Sequence, residues 1–299
     1  MKIFIIGVNG QLGRELVKKT PSGFEIYNFS KEEFNLCELN LCKKKILELK
    51  PNWIINAAAY TKVDKAEEDI KTAYKINTTA VELLANTASI YGGRLLQIST
   101  DFVFDGMLSK PYSPQDRCNP INVYGQTKLM GEKLSLRYKG TIVLRTSWLY
   151  GNFGNNFFLK IFNLHKFHKR GSKEIRIVND QIGCPTNTDN LASICWELIK
   201  KAEIETSTER IFHWCNSGVT SWYEFAKSIG EISAEIGLIK NEAPISAINS
   251  NQFNSLAKRP KYSALNCSST TEFLTVKQID WKEALKCVLY QKLNKEKNI

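Results

Sequence analysis

Five short apolar runs separated by longer amphipathic stretches occupy the first 145 residues, and this alternation constrains the fold more than any other feature. "KIFIIG" (2–7), "FEIYNF" (24–29), "NWIINAA" (52–58), "RLLQIST" (94–100) and "TIVLR" (141–145) have the length and apolar density of buried strands. Segments 11–19, 41–49, 66–90 and 123–138 between them carry helical patterning. Strand, helix, strand repetition of this kind predicts an α/β fold, a doubly wound parallel sheet with helices on both faces and right-handed crossovers.

After residue 150 the rhythm loosens. A further strand is expected at "EIRIV" (174–178), with helices near 188–201, 221–236 and 280–292, and the stretch 241–275 is rich in Asn, Ser and Pro. A chain of 299 residues exceeds the usual size of one domain. The expected organisation is therefore a sheet domain over 1–150 and a smaller α/β cap formed mainly by 151–299, with some segments returning to the sheet.

The formal net charge of +11 raises the question of nucleic acid, since clustered Lys and Arg neutralise phosphates. Apart from "KKK" (43–45) and "KFHKR" (166–170) the basic residues are scattered, which fits a solvated surface and a small anionic substrate better. The eight cysteines form no CxxC and no Cys/His cluster of zinc spacing, so neither a disulfide framework nor a metal centre is expected. "MKIFIIGV" is too short for a secretory apolar region and no run approaches a membrane span. The expectation is a cytoplasmic protein that binds neither nucleic acid nor membrane.

"GVNGQLG" places Gly7, Gly10 and Gly13 between the first strand and the first helix. Glycine permits positive φ and close backbone approach, and a helix N-terminus offers free N–H groups to a pyrophosphate. In this strand–turn–helix context the loop predicts a dinucleotide site of Rossmann type, although its three-residue spacing differs from GxGxxG. The second strand ends at "YNFSKEE" without an acid at its tip for a ribose 2′-OH; Ser30 and Lys31 suit a 2′-phosphate, which favours NADPH over NADH.

"NVYGQTKLM" places Tyr124 and Lys128 on one helical face. A phenol of pKa about 10 exchanges protons poorly at neutral pH, and a nearby cation favours the phenolate. YxxxK alone is weak in a Lys-rich chain. "QISTDFVFDG" strengthens it, because Ser99, Thr100 and Asp101 end a buried strand, and ligands of open α/β sheets bind beyond the carboxyl ends of strands. A strand-end hydroxyl there can hold a substrate carbonyl while Tyr124 supplies a proton.

With these residues in hand, the chain resembles the extended short-chain dehydrogenases/reductases, and among them the dTDP-4-dehydrorhamnose reductase family. "GVNGQLGREL", "INAAAYTKVDKAE", "STDFVFDG", "YGQTKLMGE", "RTSWLYG", "NDQIGCPT", "SWYEFA" and "AKRPKYSALN" are similar to that family's blocks in its order. The resemblance implies reduction of a nucleotide-linked 4-keto-6-deoxysugar with NADPH or NADH for surface polysaccharide. It implies a pyrophosphate loop of Gly7, Gly10, Gln11 and Leu12, a wall of Ala58, Ala59, Tyr60 and Thr61 beside the cofactor, and a catalytic set of Thr100, Tyr124 and Lys128. Thr100, Asp101 and Trp148 would touch the sugar, and Arg259 a diphosphate. Where the family often has D-hydrophobic-x-D near the adenine, this chain has Asn35, Leu36, Cys37 and Glu38.

Simpler roles stand beside these. Trp148 also suits a core, Arg145 a structural ion pair and Arg259 a turn, while His165, His168 and His213 suit surface or satisfied core positions. A 4,6-dehydratase would carry an acid pair after the strand-four threonine, whereas Phe102 follows Asp101 here. C4 epimerisation, and a non-catalytic role like that of the methionine adenosyltransferase regulatory subunit, are the rival readings. A homodimer is left open.

Overall fold

The computed structural model of the chain describes residues 1–169, 171–204 and 209–297. Five strands come from the first half: β1 (Lys2–Ile6), β2 (Glu25–Phe29), β3 (Trp53–Asn56), β4 (Arg94–Thr100) and β5 (Thr141–Thr146). A sixth, Ile211–His213, pairs with β5 and completes a parallel sheet of order sixth–β5–β4–β3–β1–β2. The chain thus crosses to one side of β1 for β2 and to the other for β3, which puts a topological switch at the carboxyl ends of β1 and β3.

Alternation along β1 shows how the two helical layers are held. Ile3 and Ile5 join a core with Leu12 and Leu16 of helix α1 (Gln11–Lys18) and Leu191 and Trp196 of helix Thr188–Ile204. Phe4 and Ile6 point the other way, against Cys42 and Ile46 of α2 (Leu39–Leu49) and against Val81 and Leu84. The α/β, doubly wound architecture is therefore as the apolar runs predict.

The expected helix over 66–90 is four pieces: α3 (Val63–Ala66), α4 (Ile70–Tyr74), a π turn at Lys75–Thr79 and α5 (Ala80–Ile90). The π turn serves a tertiary purpose, since the Asn77 side chain accepts from Tyr60 N at 2.8 Å and donates to Thr127 Oγ1 at 3.1 Å. Thr127 belongs to α6 (Val123–Ser135), so this turn ties the loop after β3 to the helix carrying Tyr124 and Lys128.

In the second half the helices at Thr188–Ile204, Trp222–Glu235 and Trp281–Lys297 agree with expectation, as does the strand Ile175–Val178. The partner of that strand, Ile245–Ile248, lies in the Asn/Ser/Pro-rich stretch, and neither it nor Ile211–His213 was expected as a strand. Three or four residues are too few to show a period, and pairing alone makes them strands. Phe158, Phe162, Phe225, Ile229, Leu285 and Leu289 form a separate core among the cap helices.

Candidate active site

The switch between β1 and β3 opens a cavity of about 750 Å³. Gly7, at φ +87°, turns the chain out of β1, and a Cβ there would press on the Ala58 backbone. A Cβ on Gly13 would overlap the Gly7 carbonyl oxygen, so the loop closes only with glycine at that position. Gly10 caps α1 without a side chain, and the first turn carries no acid, which leaves the helix's positive end to the cavity. These are the features a pyrophosphate requires.

Every residue expected to bind cofactor ahead of the Tyr/Lys pair lies in this wall. Gly7, Gly10, Gln11 and Leu12 form its floor, Ser30, Asn35 and Leu36 the side beyond β2, and Ala58, Ala59, Tyr60 and Thr61 the side beyond β3. Lys31, Lys62 and Lys65 add cations to the same wall. The Ser30 hydroxyl is engaged locally: it accepts from Glu33 N at 3.3 Å, while Ser30 N donates to Glu33 Oε2 at 2.8 Å. An acid therefore does fold back to the end of β2, although Glu33 is outside the cavity wall and Lys31 is in it. Gly154 and Asn155 close the cavity from the second half of the chain, and Asn156 donates to Gln11 Oε1 at 2.9 Å.

Thr100, Asp101, Tyr124 and Lys128 come together without lining either this cavity or a second one; they adjoin Ile98, which lines the first, and Phe102, which lines the second. Thr100 ends β4 in extended conformation, accepts from Phe102 N at 3.2 Å and donates to Asp101 Oδ1 at 3.1 Å. Asn122 caps α6 by accepting from Gly125 N at 2.8 Å. A Cβ on Gly125 would overlap the Phe102 carbonyl oxygen. The glycine beside Tyr124 thus lets the helix touch the backbone after β4 and sets the phenol next to Thr100.

Burial pushes the Tyr124 phenol up to about 12; the Thr100 hydroxyl opposes this and the Asp101 charge adds to it. Lys128 is buried and drawn down to about 8 by desolvation, with the Glu132 carboxylate opposing. Its Nζ donates to Ile98 O at 2.6 Å. In the protein alone desolvation governs the phenol, and the Lys128 ammonium is engaged by a strand carbonyl. Burial also pushes Asp101 up to about 7, against Ser263 and Thr100. Ser99 takes no part here; its hydroxyl donates to buried Glu132.

The second cavity, about 220 Å³, is lined by Phe102, Trp148, Phe157, Arg176, Trp222 and Arg259 among others. Trp148, at φ +46°, stacks on Trp222 with centroids 3.6 Å apart and planes 7° from parallel, so it is a cavity wall rather than plain core. Phe102 links the parts, its ring edge-on to Tyr124 at 5.8 Å. Arg259 lines this cavity while Nη2 pairs with Asp64 Oδ2 at 2.6 Å, which holds the Asp64 carboxyl well below its usual range. Of these wall residues, Phe102, Phe157, Arg176 and Trp222 were not expected as site residues; "SWYEFA" contains Trp222, but no local spacing marks it.

Arg145 is a structural ion-pair partner, bonded to Glu132, and His165 and His213 are buried with hydrogen-bond partners. Among the described residues no group of three or more His, Cys, Asp or Glu is placed to hold a metal ion, and no helix is long and apolar enough to cross a membrane.

Residues 1–294 match the family profile described as "RmlD substrate binding domain". The chain belongs to the dTDP-4-dehydrorhamnose reductase family. It is 35% identical to a dTDP-4-dehydrorhamnose reductase of Aggregatibacter actinomycetemcomitans, over 95% of this chain and 97% of that one. The crystal structure of a family member from Clostridium acetobutylicum superposes with a TM-score of 0.89 at 36% identity, over 98% of this chain and 100% of the other. A family structure from Bacillus anthracis in complex with NADP gives 0.88 at 33% identity, over 97% and 99%.

Proposed function

We propose that the protein reduces the 4-keto group of dTDP-4-dehydro-L-rhamnose (dTDP-4-dehydro-6-deoxy-L-mannose) to dTDP-L-rhamnose with NADPH or NADH, for surface polysaccharide, in the cytoplasm. Family membership and the NADP held by the Bacillus anthracis structure support the chemistry and the cofactor. The observation that carries the reading is the Thr100–Tyr124 pair beside Phe102, which lines an aromatic, cationic cavity, with Lys128 bonded to Ile98, which lines the glycine-floored one.

Residues 1–150 hold the cofactor in this reading, and 151–299 mainly hold the substrate. A dihydronicotinamide held by the glycine-floored cavity would supply hydride to the carbonyl carbon. Tyr124, kept protonated by burial, gives its proton to the carbonyl oxygen that the Thr100 hydroxyl holds. Lys128 sits one turn away as the cation that stabilises the phenolate left behind and anchors the cofactor ribose. Asp101, whose Oδ2 is buried without a hydrogen-bond partner among the described residues, accepts from a sugar hydroxyl. Trp148 packs on the sugar, and Arg259 at the rim meets the diphosphate.

The test is incubation of the protein and NADPH with a panel of nucleotide 4-keto-6-deoxysugars, with products identified by NMR. dTDP-L-rhamnose should form with a kcat/KM at least about tenfold above the other sugars. Equal use of several sugars, or a C4-epimerised ketosugar without cofactor oxidation, would contradict the assignment.

A further inference from the structure

Arg145 and Arg259 pair with carboxylates through different edges of the guanidinium. Buried Arg145 gives Glu132 its Nε–Nη2 edge, at 3.1 and 2.7 Å, and its Nη1 reaches Pro114 O at 3.3 Å, so every edge is taken. Arg259, on the wall of the smaller cavity, gives Asp64 its Nη1–Nη2 end instead, at 3.2 and 2.6 Å. Nη1 also donates to Ser255 Oγ, and to Ala257 O at 3.3 Å. Among the described residues Nε has no acceptor, and Nη2 carries a second hydrogen beside it. The edge that Arg145 spends on a carboxylate is therefore free in Arg259, and its two parallel donors match two oxygens of a phosphate.

Asp64 holds more than the arginine. Its Oδ1 accepts from Ser255 Oγ at 2.7 Å and from Ala257 N at 3.1 Å, so one carboxylate fixes the segment that carries Arg259. It lies in α3 between Lys62 and Lys65, which line the larger cavity, while the segment it holds supplies Phe253 and Arg259 to the smaller one. Asn122, the cap of the helix bearing Tyr124, donates to Lys258 O at 2.8 Å and ties the same segment to α6.

We propose that Asp64 is a positioning residue for the sugar nucleotide, acting through Arg259: it takes the far end of the guanidinium and presents the Nε–Nη2 edge to the diphosphate. Asp64 offsets the charge of Arg259, so what it contributes is orientation. Net positive charge comes from Arg176, which is exposed, lines the same cavity and makes no hydrogen bond or ion pair among the described residues. An arginine fixed before binding loses less side-chain freedom on meeting an anion than one that must be ordered. The two effects of Asp64 have opposite signs, since a neighbouring anion repels the diphosphate and an anchor prepares its site. Removing Asp64 tightens binding if charge governs and weakens it if orientation governs.

This inference rests on the reading in which Arg259 meets the diphosphate. The experiment is calorimetric binding of dTDP, with steady-state kinetics on dTDP-4-dehydro-L-rhamnose, for wild type, Asp64→Ala, Asp64→Asn, Arg259→Met and Asp64→Ala/Arg259→Met. In Asp64→Ala the dTDP dissociation constant and the sugar-nucleotide KM should rise about tenfold, with kcat and NADPH affinity within about threefold of wild type. Arg259→Met should weaken dTDP at least as much, and the double variant should be no weaker than Arg259→Met alone, because Asp64 then has nothing to orient. Asp64→Asn, which keeps one acceptor, should shift both constants in the same direction and carries the test if Asp64→Ala fails to fold. An unchanged or tighter dTDP constant without the carboxylate, or losses that multiply in the double variant, would overturn the proposal. Wild-type dTDP binding by Arg259→Met would overturn the reading of Arg259 and the proposal with it. Binding of dTDP needs no turnover, so absence of reductase activity would contradict the functional reading alone.

Discussion

The larger cavity is lined mostly by the turns that follow β1, β2 and β3, where the Gly7 turn meets the Ala58 backbone, whereas the smaller one is lined by side chains gathered from segments near residues 102, 148–157, 176–181, 222 and 253–263. Backbone walls depend on where glycine and alanine permit close approach, and that is a matter of local spacing. Side-chain walls depend on which distant segments the fold brings together. The first should tolerate little change at its turns and the second should tune affinity residue by residue.

Substitutions separate the roles of the two cavities, and the largest effect should come from Tyr124. Tyr124→Phe removes the proton donor while keeping the ring against Phe102, so kcat should fall about 10³-fold, within the usual range for a general acid. NADPH affinity, measured by fluorescence titration, should change less than about threefold. A comparable loss of cofactor affinity would mean that Tyr124 builds the larger cavity instead of serving chemistry.

Trp148→Ala addresses the smaller cavity alone. Removing one ring of the Trp148–Trp222 stack should raise KM for the sugar nucleotide about tenfold, equivalent to about 1.4 kcal/mol, with NADPH affinity unchanged. Steady-state kinetics and a cofactor titration on the same preparation decide it, and a change in NADPH affinity alone would reverse the assignment of the two cavities. Lys31→Ala should have the smallest effect. An exposed cation beside a phosphate contributes about 1 kcal/mol, so the NADPH dissociation constant should rise about fivefold while that for NADH stays level. Equal weakening of both would place the cation elsewhere than at a 2′-phosphate.

The same contrast explains what was legible in the sequence. The first five strands, the glycine loop and the Tyr/Lys helix could be read because each carries its signal within ten residues. The break of 66–90 into α3, α4, a π turn and α5 could not, since it answers to Asn77 reaching Tyr60 and Thr127 in space. Ile211–His213 and Ile245–Ile248 are strands only because β5 and Ile175–Val178 stand beside them. Ser99 and Thr100 are neighbours in the chain, yet one serves Glu132 and the other the site, a division set by which residue the strand turns toward α6. Phe102, Phe157 and Trp222 joined the smaller cavity without any motif to announce them, although Phe157 and Trp222 lie 4.5 Å apart.

The destination of the hydride decides between reduction at C4 and every rival reaction. Incubating the protein with dTDP-4-dehydro-L-rhamnose and NADPH deuterated at the transferred C4 position should give dTDP-L-rhamnose with deuterium at C4 of the sugar, one per cofactor oxidised. A product without deuterium at that carbon, or an unreduced ketosugar with the cofactor intact, would contradict it.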